Sequence, residues 1–205
     1  MSSWFWISVV GLVCIMPLYD LSLEHTWLDA KLGEQRGKKL GAVLGQISGW
    51  VFFLCWFGIW VSPQPRFLIP IWEESLFLPF VDFPIPVLHL ILAIPFIAAA
   101  FWFGIAGVRG TGLETSETHR AHEVVTTGIY AVVRHPQYLG GLFAHLGFTL
   151  LLSAAYSLVA FPLMIIVVYL MCKKEEIELV KEFGEAYENY RQDVPMFAPR
   201  LRRKK

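Results

Sequence analysis

The chain has 205 residues, 56% of them hydrophobic and 17% charged, and its 17 basic residues balance 17 acidic ones for a formal net charge of zero. Together with a mean hydropathy of +0.53, this points to one integral membrane domain and away from a water-soluble core. Nothing global favours a nucleic-acid partner, since the basic run is limited to LRRKK at the C-terminus.

A helix crosses about 30 Å of hydrocarbon with roughly 17 to 25 apolar residues. The first such run, 3–19 within MSSWFWISVVGLVCIMPLY, lacks a basic leader and a small-residue cleavage site, so it is read as a retained span and not a signal peptide. The second and third runs are 40–61 and 85–108. After a polar segment at 109–135 comes an apolar run at 136–171, broken near its middle by SAAYS at 153–157, which predicts two short spans forming a helical hairpin. The expected fold class is all-α, a polytopic membrane helix bundle of about five transmembrane helices. A single domain over 1–205 is expected, with three N-terminal spans in 1–108 and the hairpin-bearing region in 109–205.

Lys and Arg counts set the orientation. Segment 20–39 carries four, segment 109–135 carries three and the chain after Met171 carries nine, whereas 62–84 carries only Arg66. With five crossings this predicts the N-terminus outside, the C-terminus in the cytoplasm, and the Pro- and aromatic-rich loop 62–84 in the outer interface.

Gly37, Gly41, Gly45 and Gly49 recur every fourth residue, a bare helix face that suits close packing inside the monomer or a homodimer seam. Cys14, Cys55 and Cys172 lack CxxC spacing and are read as buried reduced thiols, with no disulfide frame and no metal site. His89 and His145 fall inside spans, where a histidine either bonds a helix carbonyl or serves a proton relay.

Because the hairpin returns the chain to the same membrane face, segments 119–138 and 173–190 are expected to be neighbours. Pro136 suits a first helical turn, where its missing N–H is no loss, and pushes His135 toward an extended conformation. Arg134 and His135 then stand at a helix N-terminus that favours an anionic ligand. Glu176, Val180, Phe183, Tyr187 and Tyr190 follow at spacings of four and three, predicting a shared face of one cytoplasmic helix, with Glu175 turned about a hundred degrees away. Taken alone, the glutamate pair also reads as ion-pair partners for Lys173, Lys174 or Lys181, and Arg-His-Pro as a juxtamembrane arginine with a turn.

Taken together, HEVVTTGIYAVVRHPQYLGG, the hairpin, and EEIELVKEFGEAYENYRQDVPMFAP resemble the isoprenylcysteine carboxyl methyltransferase and phospholipid methyltransferase superfamily of integral membrane enzymes. The residues that carry the resemblance are Arg134, His135, Pro136, Tyr138 and Gly140 in an RHPxYxG pattern. Glu175-Glu176 follow, then Phe183, Gly184, Tyr187 and Tyr190 as FGxxYxxY. It covers about residues 110–200.

The resemblance implies a methyltransferase that uses S-adenosylmethionine without a Rossmann domain, and no GxGxxG strand-turn-helix pattern occurs in the sequence. It implies a cofactor pocket at the cytoplasmic face built from His122, Glu123, Val124, Val125, Tyr130, His135, Pro136, Gln137, Tyr138 and Glu175. Arg134, Gly140, Glu176, Tyr187 and Tyr190 would support it, with no acid or base assigned. The cofactor's carboxylate suits His135 and the helix N-terminus, its ribose diol suits a glutamate, and its sulfonium suits the faces of Tyr130 and Tyr138.

The implied acceptor is lipophilic or small: an isoprenylcysteine carboxylate, a phospholipid amine or a thiol. Family members acting on prenylcysteine set an Arg one turn before the glutamate pair, where this chain has Met171, with Lys173 and Lys174 as the nearby cations. Two other readings stand beside this one. Membrane sterol reductases, which use NADPH, are similar over the same region, and a non-enzymatic membrane protein would use His89 and His145 as proton groups.

Overall fold

In the computed structural model, which describes residues 1–72, 74–77, 83–118 and 120–198, the chain is a helix bundle with one very small sheet. The basic tail from Arg200 and part of loop 62–84 lie outside the described residues. Helices α1 (Ser3–Cys14) and α2 (Met16–Leu23) join through Ile15, which keeps a helical φ of −77°, so together they form one apolar span with Pro17 in the first turn of α2. The short α3 (His25–Leu32) turns back at Gly33 into α4 (Glu34–Val61), and α4 starts six residues before the apolar run because helix needs no apolar residues outside the bilayer.

Strands β1 (Ser75–Leu76) and β2 (Ile85–Pro86) pair antiparallel, and β2 runs straight into α5 (Val87–Thr111). After α6 (Leu113–Thr118) and a 3₁₀ turn at Gly128–Ala131 come α7 (Pro136–Leu151), α8 (Ala155–Phe183) and α9 (Glu185–Asp193). Four segments, Ser3–Leu23, Glu34–Val61, Val87–Thr111 and Ala155–Phe183, are long and apolar enough to cross a membrane. The expected hairpin is present as α7 and α8. With 16 residues, α7 spans about 24 Å, shorter than the roughly 30 Å hydrocarbon core.

Large apolar side chains point outward on every span, among them Trp4, Ile7, Trp50, Phe101, Trp102 and Ile166, as a lipid-facing surface requires. The interior cluster joins Leu12, Phe52, Ile59, Leu142, Met164 and Val168 from α1, α4, α7 and α8. On the other side α7 lies flat on α5, and Gly140 permits the approach: a Cβ there would stand 3.0 Å from the Ala100 carbonyl oxygen.

The hairpin turn is displaced from its expected place. Residues 155–157 are helical, and the chain reverses at Leu152–Ala154, with Ser153 at φ 52°. The turn is held from outside: Phe67 N–H donates to Ser153 O at 2.9 Å and Ala155 N–H to Pro65 O at 3.1 Å. His89 belongs to this lock, with Nδ1 2.9 Å from the Ser153 hydroxyl and Nε2 accepting from Ile69 N–H at 3.1 Å.

Three further expectations change. The face from Glu176 to Tyr190 is not one helix, because Gly184 at φ 54° separates α8 from α9, yet Val180, Phe183, Tyr187 and Tyr190 still gather in one small cluster. The glycine stripe divides: Gly37 and Gly41 pack on Asp29, His25 and Leu28 of α3, inside the monomer, while a Cβ on Gly49 would meet nothing. Of the cysteines, Cys172 is buried, Cys55 half-buried and Cys14 exposed on the outer face of its span.

Candidate functional site

At the start of α7, His135 adopts φ −123° and ψ 63°, non-helical but short of fully extended, and Pro136 takes the first helical position. The tail of the chain fixes this corner, since Arg134 N–H donates to Pro195 O at 3.0 Å and His135 N–H to Met196 O at 3.3 Å. Arg134 then reaches Glu176 on α8, with Nη2 at 2.6 Å and Nε at 2.7 Å from the same carboxylate oxygen. Its remaining donor bonds the carbonyls of Arg191 and Val194. Arg134 is therefore spent on joining α7, α8 and the tail, and Glu176, 1% exposed, is its buried counter-ion.

The His135 ring lies between the two glutamates, Nε2 3.2 Å from Glu176 and Nδ1 3.7 Å from Glu175. Both nitrogens face these carboxylates, so His135 orients the glutamate pair and leaves neither nitrogen turned to an anionic ligand. Glu175 Oε2 is buried without a hydrogen-bond partner among the described residues, as is Glu176 Oε2. A buried carboxylate oxygen left without a donor is costly. The Glu175 side chain as a whole is 24% exposed and lines a cavity, so its carboxylate is placed to accept hydrogen bonds there.

That cavity holds about 360 Å³, within the range of small-molecule sites. One end is polar. Gln137 Nε2 lies 3.0 Å from Ser116 Oγ, 3.3 Å from Thr111 Oγ1 and 3.4 Å from the Tyr130 hydroxyl. Tyr190 donates to Tyr130 O at 2.7 Å. Burial pushes the phenols of Tyr130, Tyr187 and Tyr190 above the usual tyrosine range, so all three remain protonated donors. The other end is an apolar arm made by Gly49, Phe52, Phe53, Trp56 and Trp60 of α4 with Gly141 and Ala144 of α7 and Met171 of α8. Where the two ends meet, the Tyr19 and Tyr138 hydroxyls share a 2.6 Å hydrogen bond.

The residues expected from the sequence mostly converge here. Glu123, Val124, Val125 and Tyr130 line the cavity from the loop side. Arg134, His135, Pro136, Gln137 and Tyr138 line it from the α7 corner, and Glu175, Tyr187 and Tyr190 from α8 and α9. Three do not join the lining. His122 is exposed, 4.0 Å from Glu114 at the surface, Gly140 is spent on the α5 contact, and Glu176 sits behind Glu175 in the Arg134 pair.

Neither lysine substitutes for an arginine at Met171: Lys174 pairs with Glu24 at 2.9 Å and Glu178 at 3.2 Å, and Lys173 lies over the Tyr169 ring. Sequence reasoning missed Tyr19, the α4 residues, and Thr111 and Ser116. The α4 set at 49, 52, 53, 56 and 60 does carry a signal, a single helix face. His145, a possible relay, is structural: Nδ1 accepts from Trp56 Nε1 at 2.7 Å and Trp60 Nε1 at 3.0 Å, and Nε2 donates to Ser157 O at 3.0 Å. No cluster able to hold a metal occurs among the described residues.

Known proteins are similar to part of this chain. The model of the phospholipid methyltransferase family matches residues 88–186. Protein-S-isoprenylcysteine O-methyltransferase of Schizosaccharomyces pombe is 38% identical over 95 residues, 46% of this chain and 40% of that protein. The Homo sapiens protein of the same name is 32% identical over 95 residues, 46% of this chain and 34% of the other. Methanethiol S-methyltransferase of Pseudomonas deceptionensis is 39% identical over 85 residues, 37% of this chain and 28% of the relative. The chain thus spans well under half the length of these relatives, and no solved structure matches it. Residues 88–186 contain the Arg-His-Pro corner, the hairpin and both buried glutamates, and over this stretch, just under half of the chain, this multi-pass membrane protein is similar to the phospholipid methyltransferase family and to the isoprenylcysteine O-methyltransferases.

Proposed function

We propose that this protein transfers a methyl group from S-adenosylmethionine, bound at the polar end of the cavity, to a lipophilic or small acceptor in the apolar arm. The observation that carries the reading is the Glu175 side chain at the cavity wall, 24% exposed, with the His135 ring 3.7 Å from its Oε2 and no hydrogen bond to that oxygen among the described residues. A carboxylate there accepts the two donors of a ribose diol. The Arg134 guanidinium pairs with Glu176 while Glu175 meets only the His135 ring, an excess of carboxylate over guanidinium that suits a cationic ligand. The ring faces of Tyr130 and Tyr138 add to that preference.

When bound, the cofactor supplies an electrophilic methyl on a sulfonium. What the protein itself does is to align and enclose: His135 holds the glutamate pair, Gln137 ties α7 to Thr111 and Ser116, and the aromatic walls exclude water. Positioning of this kind supplies several kcal/mol of an in-line displacement. The excess of Lys and Arg in segments 20–39 and 109–135 supports a polar end at the cytoplasmic face and an N-terminus outside. The relatives named for an isoprenylcysteine and for methanethiol supply one lipophilic and one small acceptor, in line with the proposed substrate.

The test is transfer of a tritiated methyl group from S-adenosylmethionine, catalysed by the purified protein in lipid nanodiscs, to panels of prenylcysteines, phospholipid amines and thiols. Label is expected in one panel and lost in Glu175→Gln. Label in none of them, or label undiminished in the variant, contradicts the reading.

A further inference from the structure

The apolar arm ends abruptly, and what ends it is built with care. On α4 the lining runs from Gly49 to Trp60, on α7 it stops at Ala144, and on α8 at Met171. Beyond that level the three helices close on one another around His145, whose single nitrogen Nδ1 takes the indole N–H of both Trp56 and Trp60. The imidazole stacks on Phe161 at 5.5 Å and 12°, and Trp60 packs on Phe148 at 4.9 Å. Gly141 lets Trp56 swing in: a Cβ there would stand 3.0 Å from the Trp56 ring. Two large side chains, each less than a tenth exposed, are thus locked in one orientation across the end of the arm.

Among the described residues the arm also has no lysine or arginine free of a carboxylate partner. Arg134 is consumed by Glu176, Lys174 by Glu24 and Glu178, and the wall one turn before Glu175 is Met171, 3% exposed. Among the described residues an acceptor carrying a carboxylate finds no unpaired lysine or arginine there.

Building on the methyltransferase reading, we propose that the arm takes an uncharged acceptor with a short apolar chain, and that Trp56 and Trp60, pinned by His145, set the limit on its length. Trp56 and Trp60 are specificity determinants, and His145 is a positioning residue that acts through them. From Gly49 to Trp56 the arm follows α4 for about 10 Å.

The experiment uses n-alkanethiols of increasing chain length as acceptors, with the full-length protein in nanodiscs and S-adenosylmethionine as donor. In that assay the thiol sulfur gains the methyl, the methyl–sulfonium bond breaks with its electron pair staying on the cofactor sulfur, and the thiol proton leaves to water. The rate is expected to fall by roughly tenfold or more once one methylene too many meets the closed end. Trp56→Ala moves that limit to longer chains. Ala144→Leu, which fills the arm without removing the clamp, moves it to shorter ones, and in both the change appears in KM more than in kcat.

S-adenosylhomocysteine affinity, measured in parallel, stays at the wild-type value in both variants. No turnover with any thiol, a rate that ignores chain length, or a limit unmoved in both variants overturns the proposal. If the wild-type protein also fails to bind S-adenosylhomocysteine, the methyltransferase reading falls with it; intact binding confines the failure to the acceptor arm.

Discussion

The two ends of the cavity are built on different principles. The polar end is a lattice of charges and hydrogen bonds, in which Arg134, His135, Glu175 and Glu176 fix one another within 2.6–3.7 Å. The arm is shape alone, aromatic rings of α4 set against small residues of α7 and anchored through a neutral indole–imidazole contact. The polar end falls within the family-matched residues 88–186 apart from α9, whereas α4 and Tyr19 fall outside them. On the proposed reading the cofactor end thus falls mostly within the family-matched residues, while the arm combines Gly141, Ala144 and Met171 from that stretch with α4 from outside it.

The sharpest way to break the polar end is Arg134→Ala. It leaves Glu176 buried without its guanidinium and unties the tail, and removing one partner of a buried pair costs about 3–5 kcal/mol. Thermal unfolding in detergent is expected to drop accordingly, and a wild-type midpoint would show that the pair is not structural. Next in size are Glu175→Ala and His135→Ala. Charge-assisted hydrogen bonds contribute about 1.5–3 kcal/mol, so each variant should bind S-adenosylhomocysteine tens of times more weakly or worse while still inserting. Unchanged affinity in both would remove these residues from the site.

Gly140→Ala tests the scaffold behind the site. Its Cβ would press on the α5 backbone near Ala100 and Gly104, and overpacking of that kind costs about 1–3 kcal/mol, readable as a lower unfolding midpoint. Tyr19→Phe removes a hydrogen bond to Tyr138 worth about 0.5–1.5 kcal/mol. A shift in acceptor KM without a shift in cofactor affinity would place it on the arm's side of the boundary. The smallest effect belongs to Gly49→Ala, which meets no atom and should leave stability unchanged or raise it by about 0.5–1 kcal/mol. A loss there would mean the helix face at Gly49 is packed and not open.

The sequence carried the polar end well because its residues are expensive in a membrane and so stand out: a glutamate pair and Arg-His-Pro have few bland explanations once they occur in order. It carried the helices through their apolar runs, yet misplaced two breaks. The turn at Leu152–Ala154 is set by tertiary bonds from Pro65 and Phe67, which no local pattern announces. The break at Gly184 was hidden because residues on both sides keep the same buried face across it. His122 was placed in the pocket by resemblance, but the segment around it turns that side chain to the surface. Phe52, Trp56 and Trp60 escaped notice for a physical reason: in an apolar span, an aromatic that faces a cavity and one that faces lipid look alike until the neighbouring helices are in place.

The most direct test of the central claim is calorimetric titration of the purified, detergent-solubilised protein with S-adenosylhomocysteine, beside NADPH. Saturable binding of the first alone, lost in Glu175→Ala, is the predicted result; binding of NADPH alone, or of neither, would contradict it.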